Sequence, residues 1–136
     1  MHDTEYHSIL NTHSVIIDTN GLMIPVQFNV DIFSELHRLG YNEFIVPSAV
    51  VQELKRLLHK HEIKGKDKIA VKVALSLLDR CKILSTKNIK TDEVILKIAK
   101  KYKSAVLTND INLKKKLIKE GINVVILRQK NRLEKV

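Results

Sequence analysis

Five short apolar runs, separated by stretches of helical periodicity, limit what this chain can fold into more than any other feature. The runs lie at residues 15–18, 44–46, 83–84, 105–108 and 124–127. They are continuous rather than alternating, which predicts strands covered on both faces. Strands that alternate with amphipathic helices build βαβ units and a parallel sheet. The expectation is a three-layer α/β/α sandwich around a mostly parallel five-stranded sheet of order 3-2-1-4-5, with right-handed crossovers.

The connecting stretches support this reading. After the first strand, Asn20-Gly21 marks a turn and Pro25 limits regular structure. Ile32, Phe33, Leu36 and Leu39 form the stripe of a helix over about 30–39, with Gly40 just past its end. Ser48 suits the cap of a helix running to about His61, whose inward face carries Val50, Val51, Leu54, Leu57 and Leu58. A basic connection at 59–68 leads to a helix with Ile69, Val73 and Leu77 inward, ending near Cys81. A further helix opens at Thr91 or Asp92 and buries Val94, Ile95, Ile98, Ala99 and Tyr102. The last carries Leu113, Leu117 and Ile118 and stops at Gly121.

A chain of 136 residues fits one domain of this kind, here residues 14–128, between an N-terminal extension (1–13) and a basic C-terminal tail (129–136). His2, His7 and His13 in the extension show no periodicity. Cys81 is the sole cysteine, so an internal disulfide and a multi-cysteine zinc site are excluded. No apolar run approaches the roughly 18 residues of a membrane helix, and residues 1–13 lack a signal-peptide core; a cytoplasmic protein with no membrane partner is expected.

Charge is distributed unevenly. Residues 1–50 carry a formal −5 and residues 51–136 carry +14, for a net +9. Clustered lysine predicts a polyanionic partner, most simply nucleic acid, although a Lys-rich surface that only maintains solubility gives the same composition.

Four acids stand at or near element ends that the topology sends to one edge of the sheet. Asp18 ends the first strand, Asp110 follows the fourth, Asp92 lies at a helix start, and Glu53 sits one turn into its helix at the margin of the apolar stripe. In order 3-2-1-4-5 the switch point falls between strands one and four, where Asp18 and Asp110 would meet. Each acid alone also suits a cap, a turn or a solvated surface. Converging carboxylates repel and require a cation or shared protons. Oxygen-only ligands select hard ions such as Mg²⁺ or Mn²⁺, which activate water and stabilise the leaving oxygen in phosphodiester cleavage.

The segments Val15-Ile16-Ile17-Asp18-Thr19-Asn20, Val50-Val51-Gln52-Glu53-Leu54, Asp92-Glu93-Val94-Ile95-Leu96-Lys97-Ile98-Ala99 and Val106-Leu107-Thr108-Asn109-Asp110 occur in the order and spacing of a known family. The chain resembles a PIN-domain ribonuclease over essentially its whole length. The resemblance implies a metal-dependent endoribonuclease that leaves a 3′-hydroxyl, with Asp18, Glu53, Asp92 and Asp110 as catalytic residues around Mg²⁺ or Mn²⁺. It implies Asn20 and Thr108 as polar supports of that cluster. Many relatives have an Asp two residues after the position of Asp110; here it is Asn112, an amide that orients water but adds no charge. That departure bears on a second metal.

An acidic site needs surrounding positive charge to hold RNA. Lys60, Lys64, Lys66 and Lys68, Lys114, Lys115 and Lys116, and Arg128 and Arg132 supply it, as phosphate contacts rather than base readers. Each cluster equally suits a solvated face. The segment from Thr108 to Lys115 and the basic end resemble PIN proteins of small-subunit ribosome assembly, which implies processing of RNA, ribosomal RNA included, and a ribosome-assembly partner. VapC-type toxins share the chemistry and are held by an antitoxin. A non-cutting PIN-like module that binds RNA or protein is a third reading, and PIN domains often pair, so a homodimer is compatible. A phosphoryl-accepting signalling domain fits less well: no acid ends the third strand at Ile83-Leu84-Ser85.

Overall fold

The structure, a computed structural model, describes residues 13–60, 62–87 and 90–136. The expected N-terminal extension, apart from His13, lies outside the described residues, as does His61. Among the described residues six strands form one sheet. They are β1 (Ser14–Ile17), β2 (Glu43–Pro47), β3 (Lys82–Leu84), β4 (Ala105–Leu107), β5 (Val124–Arg128) and β6 (Arg132–Lys135), in the order β3-β2-β1-β4-β5-β6. All neighbours are parallel except β5 and β6.

Six helices connect them: α1 (Thr19–Phe28), α2 (Ile32–Arg38), α3 (Ser48–Leu58), α4 (Gly65–Leu77), α5 (Thr91–Tyr102) and α6 (Ile111–Lys119). The connections β1→β2 and β2→β3 step one way along the sheet, and β3→β4 and β4→β5 step the other way. Right-handed crossovers then put the two sets of helices on opposite faces, giving the α/β/α sandwich. β1 is buried at every position, as its unbroken apolar run requires. No helix among the described residues is long and apolar enough to cross a membrane.

The sheet has six strands where five were expected. Residues read in sequence as a basic tail fold back and pair Arg132 through Lys135 with β5. Gln129 and Lys130 both take positive φ, 54° and 60°, and the Asn131 N–H bonds back to the Arg128 carbonyl at 3.2 Å. Successive positive φ values suit the right-handed twist of a hairpin. The free edge of β6 is covered by side chains of α2: Glu35 Oε1 accepts from the Leu133 N–H at 3.0 Å, and Arg38 donates to the Leu133 carbonyl at 2.8 Å.

Residues 19–28 were expected to turn at Asn20-Gly21, and they are helical instead. Asp18 caps α1, and its Oδ1 accepts from the Thr19 N–H at 2.6 Å. Gly21 brings this helix onto the sheet; a Cβ there would meet the Leu107 carbonyl at 3.1 Å and Ile17 Cγ2 at 3.2 Å. Glycine therefore marks a close approach here, not a turn. Pro25 lies inside α1, where it removes one backbone donor but does not end the helix.

Two further details differ. α3 begins at Ser48, after a Pro47 N-cap, and the Ser48 hydroxyl instead accepts from the Thr86 N–H at 3.0 Å. α4 buries Ala70, Val71 and Ala74, while Ile69 is exposed. The small side chains let α4 lie close against α1, so the inward stripe is displaced from the larger residues that mark it in sequence.

Candidate active site at the carboxyl edge of the sheet

β1 and β4 lie side by side, with Ile17 in register with Leu107, so the residues after them emerge together. The Asp18 N–H continues the ladder to the Leu107 carbonyl at 3.1 Å. Asp18 is thereby held by backbone on one side and by the α1 cap on the other. It is buried, and its second oxygen, Oδ2, accepts from the Thr108 hydroxyl at 2.9 Å.

Thr108 links both acids of the switch point. Its Oγ1 donates to Asp18 and accepts from the Asp110 N–H at 3.0 Å. Asp110 Oδ1 then caps α6, accepting from the Asn112 N–H at 2.9 Å and the Leu113 N–H at 3.2 Å. The capping role that suits an Asp before a helix is real, but it uses only Oδ1. Asn20 ties the same two loops together, its Oδ1 accepting from the Asn109 N–H at 3.1 Å.

Glu53, on α3, accepts from the Thr19 hydroxyl at 2.7 Å. Asp92 sits in the first turn of α5, whose N-cap is Lys90 and makes no side-chain cap bond. Asp92 is therefore not the cap that its sequence position suggests. The N-termini of α1, α5 and α6 all face this edge, and their partial positive charge offsets part of the carboxylate repulsion.

Asp18, Glu53, Asp92 and Asp110 line one open cleft of about 610 Å³, together with Thr19, Asn20, Met23, Leu57, Lys90, Thr91, Glu93 and Lys116. No salt bridge among the described residues involves any of the four acids. The electrostatics register the crowding. Burial pushes the Asp18 carboxyl up to about 6, against the lowering effect of the Thr108 and Thr19 hydrogen bonds, and Asp92 and Glu53 add to the rise. Asp92 is also raised, by burial first and then by Asp110, with Lys116 opposing.

The donor set is all oxygen and anionic, which suits a hard divalent cation. Among the described residues no three His, Cys, Asp or Glu side chains close on a single point. The carboxylates line a cleft rather than forming a cage, an arrangement that suits Mg²⁺, which keeps several waters and takes one or two carboxylates with substrate phosphate.

The basic residues singled out in sequence are dispersed. Lys116 lines the cleft, whereas Lys60, Lys64, Lys66, Lys68, Lys114 and Lys115 do not. Lys66 donates to the Gln27 carbonyl at 3.2 Å. Arg128 and Arg132 both bond Glu134, at 3.0 and 2.9 Å, on the hairpin. Thr19 and Lys90 are cleft residues that the sequence did not single out. The adjacency of Thr19 to Asp18 was the available signal for the first. Lys90 carried none, because the chain from β3 to α5 has no periodicity to place it.

Residues 15–130 match the family described as PIN like domain. Ribonuclease VapC9 of Archaeoglobus fulgidus is 31% identical over 118 residues, covering 87% of this chain and 85% of that protein. Ribonuclease VapC4 of Methanocaldococcus jannaschii is 33% identical over 125 residues, covering 90% of this chain and 95% of that protein. The structure of the PIN domain endonuclease Utp24 superposes with a TM-score of 0.71 at 27% identity, covering 90% of this chain and 92% of that one.

Proposed function

The chain belongs to the PIN-like domain family, and on that premise we propose that it is a divalent-cation-dependent endoribonuclease that hydrolyses RNA phosphodiesters in the cleft at the carboxyl edge of the sheet. The observation that carries this reading is the placement of Asp18. It is a buried, hydrogen-bonded carboxylate without a salt bridge, in a cleft that Glu53, Asp92, Glu93 and Asp110 also line. An isolated structural carboxylate gains nothing from such company; a cation-binding group does.

Asp18, Glu53, Asp92 and Asp110 would hold Mg²⁺ or Mn²⁺, and Asn112 in place of a further acid favours a single tightly held ion. When bound, the cation would lower the pKa of a water and neutralise charge on the scissile phosphate. The chain's own residues do the positioning. Thr108 fixes the Asp18 carboxylate and, through the Asp110 N–H, the start of α6. Thr19 holds Glu53 against the same cleft. Lys90 and Lys116 at the cleft wall offset its negative potential, so that a phosphodiester can approach.

Processing of RNA, ribosomal precursors included, is the cellular role we assign first, supported by the resemblance of the segment from Thr108 to Lys115 to PIN proteins of small-subunit ribosome assembly and by the basic second part of the chain. A toxin ribonuclease held by an antitoxin is the second reading, favoured by the identity to VapC9 and VapC4 over most of their length. A small protein that co-purifies and silences cleavage would select the second. The chemistry is tested with single-stranded and structured RNAs, comparing wild type and Asp18→Asn with Mn²⁺, with Mg²⁺ and with EDTA. Cleavage by wild type alone, abolished by EDTA, is expected. Equal cutting by both proteins would overturn the assignment.

A further inference from the structure

A second cavity, of about 470 Å³, opens beside the candidate active site. It is lined by Leu84, Ser85, Thr86 and Lys87 after β3, and by Val94, Lys97, Ile98, Lys101 and Tyr102 on α5. The helix positions 94, 97, 98, 101 and 102 share one face. Val94 and Ile98 are buried and make an apolar floor, while Lys87, Lys97 and Lys101 are exposed. No acidic residue lines it. The Lys101 ammonium lies 5.3 Å from the centre of the Tyr102 ring.

This groove and the carboxylate cleft are both walled by α5. The first turn of α5 supplies Thr91, Asp92 and Glu93 to the cleft, and the following turns supply the groove. At about 1.5 Å of rise per residue, Lys97 and Lys101 stand roughly 7 and 13 Å along the helix from Asp92. That distance accommodates roughly two to four stacked nucleotides at about 3.4 Å each.

We infer that the groove between β3 and α5 is a binding site for the single-stranded RNA that flanks the scissile phosphate, with Lys87, Lys97 and Lys101 contacting phosphates and Tyr102 offering a face for one base. This rests on the ribonuclease reading of the adjoining cleft. Three lysines in a groove that no acid lines, an apolar floor and one aromatic ring are the components of a sequence-tolerant single-strand site. No ion pair among the described residues joins these lysines to the cleft acids, so the groove contributes binding and not chemistry.

The full chain is titrated in EDTA against labelled single-stranded RNAs of about 3 and about 12 nucleotides, lengths below and within the usual span of such sites. The double variant Lys97→Ala, Lys101→Ala is expected to weaken the longer RNA about tenfold and to reduce its salt slope by roughly 1 to 2, leaving the shorter RNA unaffected. Alanine is favourable in a helix, so folding is preserved. Tyr102→Ala should weaken the longer RNA and Tyr102→Phe restore it. With metal present, the double variant should raise KM for the longer RNA at unchanged kcat.

Unchanged affinity for the longer RNA would overturn the inference. The two readings fail separately. Cleavage that depends on Asp18 but not on the groove lysines removes the groove and keeps the nuclease. Groove-dependent binding by a protein that never cuts removes the nuclease and keeps the groove.

Discussion

The Thr108 hydroxyl donates to Asp18 Oδ2 at 2.9 Å, across the β1–β4 pairing and over a separation of 90 residues. The same oxygen receives the Asp110 N–H at 3.0 Å. One side chain thus sets both the orientation of the buried carboxylate and the loop that carries its neighbour. Thr108→Val keeps the shape and removes both bonds. It should cost about 1–3 kcal/mol in urea denaturation, the penalty for unsatisfied buried groups. It should also reduce cleavage, with Thr108→Ser recovering most of both.

Asp18 makes stability depend on pH. Its folded-state pKa is raised from 3.8 to about 6, so the proton is bound more tightly in the folded state. Its contribution is fully present below about pH 4 and is lost as pH rises through 6, an effect of about 2–3 kcal/mol. Asp18→Asn carries no such charge. The cation-free variant should be more stable than wild type at pH 7.5, and the difference should vanish near pH 4, as measured by thermal melts across that range.

A divalent cation should offset that difference. At about 100 times its Kd it stabilises the folded state by about 2.7 kcal/mol. Mn²⁺ or Mg²⁺ should therefore raise the wild-type Tm at pH 7.5 by several degrees and leave Asp18→Asn unmoved. Equal shifts in both proteins would place the ion elsewhere.

Gly21→Ala tests the approach of α1 to the sheet. Alanine is the better helix former by about 1 kcal/mol. The added Cβ, however, would press on the Leu107 carbonyl at 3.1 Å and on Ile17 Cγ2 at 3.2 Å, neither of which moves easily. Crowding of this kind costs about 1–3 kcal/mol. Net destabilisation is expected by urea denaturation, with weakened cleavage because the α1 cap on Asp18 shifts with the helix.

Glu35→Ala tests the guarded sheet edge. It leaves the Leu133 N–H without its side-chain acceptor and Arg38 without its ion-pair partner, although Arg38 keeps the Leu133 carbonyl. A loss of about 1 kcal/mol is expected. Aggregation at high concentration should increase, since an uncovered edge strand invites pairing with another chain. Light scattering and chemical denaturation would measure the two effects.

The features legible in the sequence were those with a local physical cause. The unbroken apolar run before Asp18 has to be a central buried strand, and a parallel sheet of alternating units has to bring the ends of β1 and β4 together. The order of the first five strands and the shared edge of Asp18, Asp92 and Asp110 followed from that. The inward lean of Glu53 followed from its place beside Val50, Leu54 and Leu57 on α3.

What only the tertiary structure decided depends on partners far away in the chain. Asn20-Gly21 carries the local preferences of a turn; packing against Leu107 makes it the first turn of a helix. Gln129 to Lys135 has the composition of a basic tail. Its residues from Arg132 become a strand because β5 offers a free edge and Glu35 and Arg38, nearly a hundred residues earlier, meet Leu133. Lys90 joins the cleft and Lys97 the groove because the path of α5 past β3 is set by the sheet. Periodicity reports which face of an element is apolar. Which neighbour covers that face, and which polar atoms then meet, is decided by packing across long separations, where local preferences of a kilocalorie or less are overridden.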